Sequence, residues 1–257
     1  MIGYANEEDF DKIICLWNRV FGDNKEVIKK YLDRFYERVL LYRKDDEILA
    51  MMSLLPIGVK NRMGYYVYAV ATDEEQRGQG IASKMIEYAK NLCKKDEFLI
   101  LVPAKEALFE FYKRFGFYEI SCITKKQKFE PREDNKPLKL MEISPTELLI
   151  LRKEFFKHNS FFEWDIDVLN LMHDCFGTRF LKTVDGKDFI VCDIFENMVT
   201  VKEVCSNKKN YDVLLTSLSR YFGMDIYSYA FPEKTKTPSA MVFGAKFRKP
   251  YFNLALD

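Results

Sequence analysis

The sequence predicts an α+β protein in which a mixed sheet is flanked by helices and the plan is laid down twice. Tyr65 to Lys84 changes period within twenty residues. An uninterrupted aromatic and β-branched run to Thr72 reads as a buried strand, and Ile81, Met85, Ala89 and Leu92 then recur on one face of a helix. The first half orders its strand and helix signals as β-α-α-β-β-β-α-β-α-β. The second half repeats the plan as α-α-β-β-β-α-β.

Ile2 to Tyr4 is a short first strand. Asn6 caps a helix whose first turn holds Glu7, Glu8 and Asp9, acids that suit the positive end of aligned peptide dipoles. Phe10, Ile13, Ile14, Trp17 and Phe21 have helical spacing, and Gly22 ends the helix. A second helix runs from Glu26 to about Glu37. Val39 to Arg43 and Glu47 to Leu55 form a hairpin around Asp45-Asp46, extended by Ile57 to Val59. The strand ending at Thr72 and a helix to about Lys95 follow. A strand from Phe98 to Val102, a helix after Lys105 and a strand from Phe117 to Phe129 close the first half.

Pro131 to Pro137 is polar with two prolines, the composition of a linker. The expected division is therefore a first domain over residues 1–130 and a second over 138–257. Ser144-Pro145-Thr146-Glu147 is a capping-box signature with proline at the first helical position, and its helix reaches about His158. A second helix, Asp167 to Phe176, ends at Gly177. Strands Phe180 to Val184 and Asp188 to Ile194 flank an Asp185-Gly186 turn, and Met198 to Val204 adds another. Asn210 to Phe222 is a helix and Asp225 to Ala230 a strand. Met241 to Phe247 and Tyr251 to Leu256 are final strands, candidates to pair with the first domain.

Composition bounds the function. Forty basic and thirty-nine acidic residues leave a net charge of +1, with 48% hydrophobic and 31% charged residues. That describes a soluble globular protein with no global field for nucleic acid or an anionic membrane. Lys125-Lys126-x-Lys128 reads as a solvated edge strand. The six cysteines, at 15, 93, 122, 175, 192 and 205, form no C-x-x-C pair and read as reduced packing residues. The N-terminus lacks a signal-peptide pattern, and no apolar run approaches the roughly 18 to 20 residues of a membrane span, so cytoplasm is the expected location. His158 and His173 have no partners at metal-ligand spacing, and no metal is expected.

Arg77-Gly78-Gln79-Gly80 stands between strand and helix. The first turn of a helix presents unpaired N–H groups and partial positive charge, a place for an anion. Glycines there let the backbone approach a diphosphate and adopt the required angles, and Arg77 adds a full charge. P-loop spacing is absent. The Rossmann pattern is met at Gly78 and Gly80 but fails at Ser83, and no acid ends the next strand. Arg77-x-x-Gly80-x-Ala82 after a strand resembles the coenzyme A pyrophosphate loop of the GCN5-related N-acetyltransferases, the GNAT superfamily. Downstream, Phe111-Tyr112-x-x-x-Gly116-Phe117 looks like that superfamily's last core helix and the strand after it, and loop, strand and helix stand in the family's order.

In detail the resemblance covers about residues 1–130. It implies the GNAT fold, a mixed, mostly antiparallel twisted sheet flanked by helices. The second half is then a degenerate copy without the coenzyme A loop, since its turn reads Cys205-Ser-Asn-Lys-Lys-Asn210 and contains no glycine. The two-domain plan is similar to the enhanced-intracellular-survival type of acetyltransferase, for whose third, sterol-carrier-like domain the chain is too short. Leu16 to Asp23 and Tyr65 to Thr72 look like stretches of uncharacterised bacterial GNAT proteins.

The resemblance further implies acetyl-coenzyme A (acetyl-CoA) as cosubstrate. Backbone amides of Gln79, Gly80, Ile81, Ala82 and Ser83 receive the pyrophosphate, Gly78 shapes the turn and Arg77 supplies charge. The backbone of Val70, Ala71 and Thr72 pairs with the pantetheine amides. Tyr112 stands where the family often places the general acid for the departing thiolate, a transfer uphill by roughly 2 kcal/mol at reference pKa values of about 10 and 8.5. Trp17, Phe21, Tyr66 and Tyr68 are candidates for the acceptor pocket, each also readable as core. No base is evident. Strand Tyr65 to Thr72 has no carboxylate or histidine, and Asp73, Glu74 and Glu75 are expected to cap the helix. Water, a carboxylate of the second domain and the terminal carboxylate of Asp257 stay open. The expected activity is N-acetyl transfer to a primary amine of a small molecule by direct attack. The alternatives are a coenzyme A-binding protein without catalysis and a protein-lysine acetyltransferase.

Overall fold

A computed structural model of the protein describes residues 1–120, 123–131, 134–158, 160–206, 210–232, 238–248, 250–254 and 256. Cys122, Asp257 and residues 207–209 of the second-half turn lie outside these. In chain order the elements are β1 (Ile2–Tyr4), α1 (Phe10–Phe21), α2 (Lys25–Phe35), β2 (Val39–Lys44), β3 (Glu47–Val59), β4 (Arg62–Thr72), α3 (Ile81–Leu92), β5 (Phe98–Leu101), α4 (Ala107–Lys113) and β6 (Tyr118–Ile120). There follow β7 (Thr124–Phe129), β8 (Leu140–Glu142), α5 (Pro145–Phe155), β9 (Ser160–Trp164), α6 (Ile166–Cys175), β10 (Thr178–Thr183), β11 (Asp188–Phe195), β12 (Met198–Ser206), α7 (Tyr211–Phe222), β13 (Asp225–Phe231), β14 (Ala240–Phe243) and β15 (Pro250–Tyr251). The class is α+β with mixed sheets, as the sequence predicts.

Two compact units form, Met1–Glu119 with Ala240–Lys246, and Ile120–Ser239 with Phe247–Asp257. In the first the strand order is β1-β2-β3-β4-β5-β14-β6. Neighbours from β1 to β4 are antiparallel, β4 and β5 are parallel, and β5 and β14 are antiparallel. The second orders its strands β8-β10-β11-β12-β13-β7. Its pairings run antiparallel three times, then parallel between β12 and β13, then antiparallel to β7.

The chain from Phe117 to Phe129, expected as one strand, is therefore two. β7 pairs with β13 in the second sheet, and its residues 125–128 are exposed, so the lysine run lies on an edge strand that charge protects from further pairing. The expected strand from Met241 enters the first sheet as β14, beside β5. β8 and β9 carry no periodic signal: the first has three residues, and β9 is Ser-Phe-Phe-Glu-Trp with four of its five residues buried. Of the described residues from Tyr251 to Leu256, only Tyr251 is in a strand.

Both units share two irregularities. Ser53 pairs with Tyr68 and Met51 with Ala71, so Ala69 and Val70 together oppose Met52. This is a β-bulge, with Ala69 at φ 49°. In the second unit Cys192 pairs with Val201 and Val191 with Glu203, leaving Lys202 as the extra residue. The parallel pairs are also short. β4 meets β5 only from Gly64 to Tyr66, and β12 meets β13 only from Met198 to Val201 although β12 continues to Ser206.

In the first unit one sheet face is covered by Ile81, Met85, Ile86 and Ala89 of α3 and Tyr112 of α4, packed on Ala50, Met52, Leu54, Val67 and Leu99. Strand alternation turns Ser53, Tyr66 and Tyr68 to the other face, where the Tyr68 ring lies 5.7 Å from Trp17 and 5.8 Å from Tyr31. In the second unit Leu214, Leu215 and Leu218 of α7 cover Val199, Val201 and Val204. Across from them Arg152 and Glu203 are fully buried and bidentate, Nε to Oε2 at 2.9 Å and Nη2 to Oε1 at 3.0 Å. The Tyr251 hydroxyl donates to the same Oε1 at 2.6 Å.

Candidate active site

The glycine turn forms from local rules. β4 ends at Thr72, and Glu74 to Gln76 make a 3-10 turn capped by Asp73, which accepts from the Glu75 N–H at 3.1 Å. Gly78 and Gly80 follow with φ 81° and 74°, a region that L side chains occupy at a cost of about 1–2 kcal/mol. No atom lies within 4 Å of where a Cβ would stand at either position. The glycines are therefore needed for backbone angle and leave open space outside. Gly80 is the N-cap of α3 and provides no side-chain acceptor, and the first turn carries no acid. The amides at this helix end are thus left for an outside anion.

Around the turn, Arg77 is exposed and bonds Glu74 at 3.1 Å and the Thr72 carbonyl at 3.4 Å. Exposed Gln79 donates to Gln76 at 3.1 Å. Ile81 is buried, Ala82 and Ser83 half-buried. The expectation that Asp73, Glu74 and Glu75 cap α3 is corrected. Asp73 caps the 3-10 turn and pairs with Arg19, and Glu74 holds Arg77, because the two left-handed glycines separate this turn from the helix.

Upstream, β4 parts from β5 after Tyr66, so Val67 to Thr72 run on without a partner in β5. Val70 and Thr72 are half-buried and Ala71 buried. Gly64 makes the junction possible, since a Cβ there would stand 2.4 Å from the Phe98 carbonyl oxygen. The bulge at Ala69 falls on the parted segment.

Tyr112 shares a core cluster with Ile81, and Val70 packs at its margin. It is 6% exposed, whereas Leu108, Phe111 and Phe115 only border the cluster. The reason is the turn that follows. Gly116, at φ 83°, reverses the chain so that the Phe117 N–H returns to the Tyr112 carbonyl at 3.4 Å, and the two rings meet at 5.7 Å. Burial pushes the Tyr112 phenol up to about 12.

Of the acceptor-pocket candidates, Trp17 and Tyr66 are core residues, Tyr68 is half-buried and Phe21 is exposed. Trp17 donates its indole N–H to Asp23 at 2.7 Å. A cleft of about 470 Å³ opens between α1, the β2–β3 turn and the 3-10 turn. There Asp11, Asp46, Glu47, Asp73 and Glu75 outnumber Lys12 and Arg19, the wrong sign for a diphosphate. Among the described residues no His, Cys, Asp and Glu group could hold a metal ion, and no helix is long and apolar enough to cross a membrane. The bulge at Ala69 and the Arg19–Asp73 pair had no signal in the sequence.

Comparison with known proteins assigns this arrangement. Residues 2–120 match the acetyltransferase (GNAT) domain family. That match falls on the first unit, on less than half of the chain. No curated protein matches the chain. Solved structures with the GNAT fold do. A probable N-acyltransferase from Enterococcus faecalis V583 is 14% identical with a TM-score of 0.69, covering 94% of this chain and 72% of that one. A putative acetyltransferase from Pyrococcus horikoshii is 15% identical with a TM-score of 0.66, covering 96% and 89%. Eis1 from Mycobacterium abscessus is 11% identical with a TM-score of 0.57, covering 92% and 67%. At these identities the likeness is one of fold.

Proposed function

We propose that the chain is an acetyl-CoA-dependent N-acetyltransferase acting on a primary amine of a small molecule. The observation that carries the reading is the parting of β4 from β5 where an R-x-x-G-x-A turn opens α3 without a cap of its own. The amides of Gln79 to Ser83 hold the pyrophosphate, shaped by Gly78 and assisted by Arg77, and the backbone of Val70 to Thr72 pairs with pantetheine as an added strand would. The amine nitrogen attacks the acetyl carbonyl carbon. A C–N bond forms, the C–S bond breaks, Tyr112 gives the departing sulfur its proton, and the proton shed by the new amide nitrogen passes to solvent, from which the phenol is restored.

The second unit is a degenerate GNAT-like copy that does not bind coenzyme A. Its bulge, its short parallel pair and its order of pairings duplicate those of the first unit, while the stretch after β12 has no glycine. The test is release of free coenzyme A thiol from acetyl-CoA with and without a panel of small primary amines. Amine-dependent release is expected. Binding of acetyl-CoA without release for any amine would favour a silent coenzyme A-binding protein.

A further inference from the structure

The two bulged strands differ in what lies against them. In register Tyr68 corresponds to Val201 and Ala71 to Glu203, so Lys202 stands where Ala69 and Val70 stand in the first unit. At and past its bulge β4 has Ala69, Val70 and Thr72 half-buried, whereas Glu203, Val204, Cys205 and Ser206 of β12 are all buried although β12 has parted from β13. The C-terminal segment lies against the start of this stretch. The Asn253 side-chain amide donates to the Lys202 carbonyl at 2.5 Å, and the Tyr251 hydroxyl donates to the Glu203 carboxylate at 2.6 Å. Tyr251, Phe252, Asn253 and Leu254 are themselves buried. No ladder holds residues 252–254, since β15 stops at Tyr251. The Trp164 indole N–H holds them instead, donating to the Asn253 carbonyl at 2.9 Å. Leu254 is kept at φ 61°, a conformation that leucine takes only where its surroundings impose it.

We propose that Tyr251 to Leu254 form an internal strap that takes the place on the parted strand of the second unit which acetyl-CoA takes in the first. The strap rests on the reading of the second unit as a degenerate copy. The chemistry matches: a side-chain amide N–H on a strand carbonyl is the bond by which a pantetheine amide would pair with β4. The second unit then has a reason besides its missing glycines for refusing coenzyme A, because the chain itself fills the position. An occupant on the same chain competes at a high effective concentration and loses no translational freedom on docking.

Hydrogen exchange of the full chain, with and without acetyl-CoA, tests the strap. Each parted segment keeps a ladder on one side, to β3 or to β11, so the ladders alone predict equal exchange in residues 69–72 and 203–206. With the strap in place, the ligand-free chain should exchange 203–206 about tenfold or more slowly than 69–72, and acetyl-CoA should slow 69–72 alone. Asn253→Ala and Tyr251→Phe should each speed exchange of 203–206 by about tenfold and leave acetyl-CoA affinity unchanged. Equal exchange of the two segments without ligand, slowing of 203–206 by acetyl-CoA, or wild-type exchange in both variants overturns the strap. The wild-type comparison decides it even where a variant does not fold. Failure of acetyl-CoA to slow 69–72 counts against the transferase reading instead, and exchange of 203–206 in the variants still decides the strap.

Discussion

Burial decides what Tyr112 can do. With its phenol pushed up to about 12 and a departing thiol near 8.5, the proton transfer is uphill by roughly 5 kcal/mol, steeper than reference values give. Tyr112 therefore stays protonated throughout the working pH range. Tyr112→Phe should lower kcat on the order of a hundredfold and leave the KM for acetyl-CoA unchanged; an unchanged kcat would remove it from the chemistry. The same burial links to stability. The folded-state pKa lies above the unfolded value of 10, so the stabilising neutral form is fully favoured below pH 10 and its contribution is lost as pH rises toward 12. Urea titrations should show the wild type weakening over that window by about 3 kcal/mol more than Tyr112→Phe. Sequence spacing places Tyr112 in its motif but does not carry its depth, because the return of Phe117 through Gly116 is a tertiary event. At Gly80, with φ 74°, valine should eliminate the melting-temperature rise caused by acetyl-CoA while the chain still unfolds cooperatively; an undiminished rise would refute the anion role of the turn.

Among the elements, β4 combines a legible feature with a hidden one. Its aromatic and β-branched run announces a buried strand, and the glycines announce the turn that follows. The bulge is invisible because alanine gives no sign that it takes a left-handed conformation. Gly64 likewise reads as any strand glycine until Phe98 is placed against it. Gly64→Ala would put a Cβ 2.4 Å from the Phe98 carbonyl oxygen, forcing the parallel strands apart. A loss of about 1–3 kcal/mol or more is expected in urea unfolding, and unchanged stability would contradict the close approach. The acids after Thr72 show the limit of local rules. They have the composition of a helix cap, but two left-handed glycines make them cap a separate 3-10 turn.

For the whole molecule, the repeated order of elements was legible because each turn and cap is coded locally. The allocation of strands to sheets was not: β7 and β14 join sheets built mostly from the other half of the chain, and nothing within either strand specifies that. In the second unit the buried Arg152–Glu203 pair is also a long-range product, formed between α5 and β12. Glu203→Ala should destabilise the chain by about 3–5 kcal/mol by leaving the guanidinium uncompensated, read as a lower urea midpoint. The most direct test of the central claim is thermal unfolding with acetyl-CoA, coenzyme A, NAD and ATP added separately. A ligand at about a hundred times its dissociation constant contributes roughly 2.7 kcal/mol, on the order of 5 to 10 °C for a chain of this size. A rise confined to the two coenzyme A species is predicted. A rise with NAD or ATP instead, or with none of the four, would contradict the assignment of the glycine turn and every role built upon it.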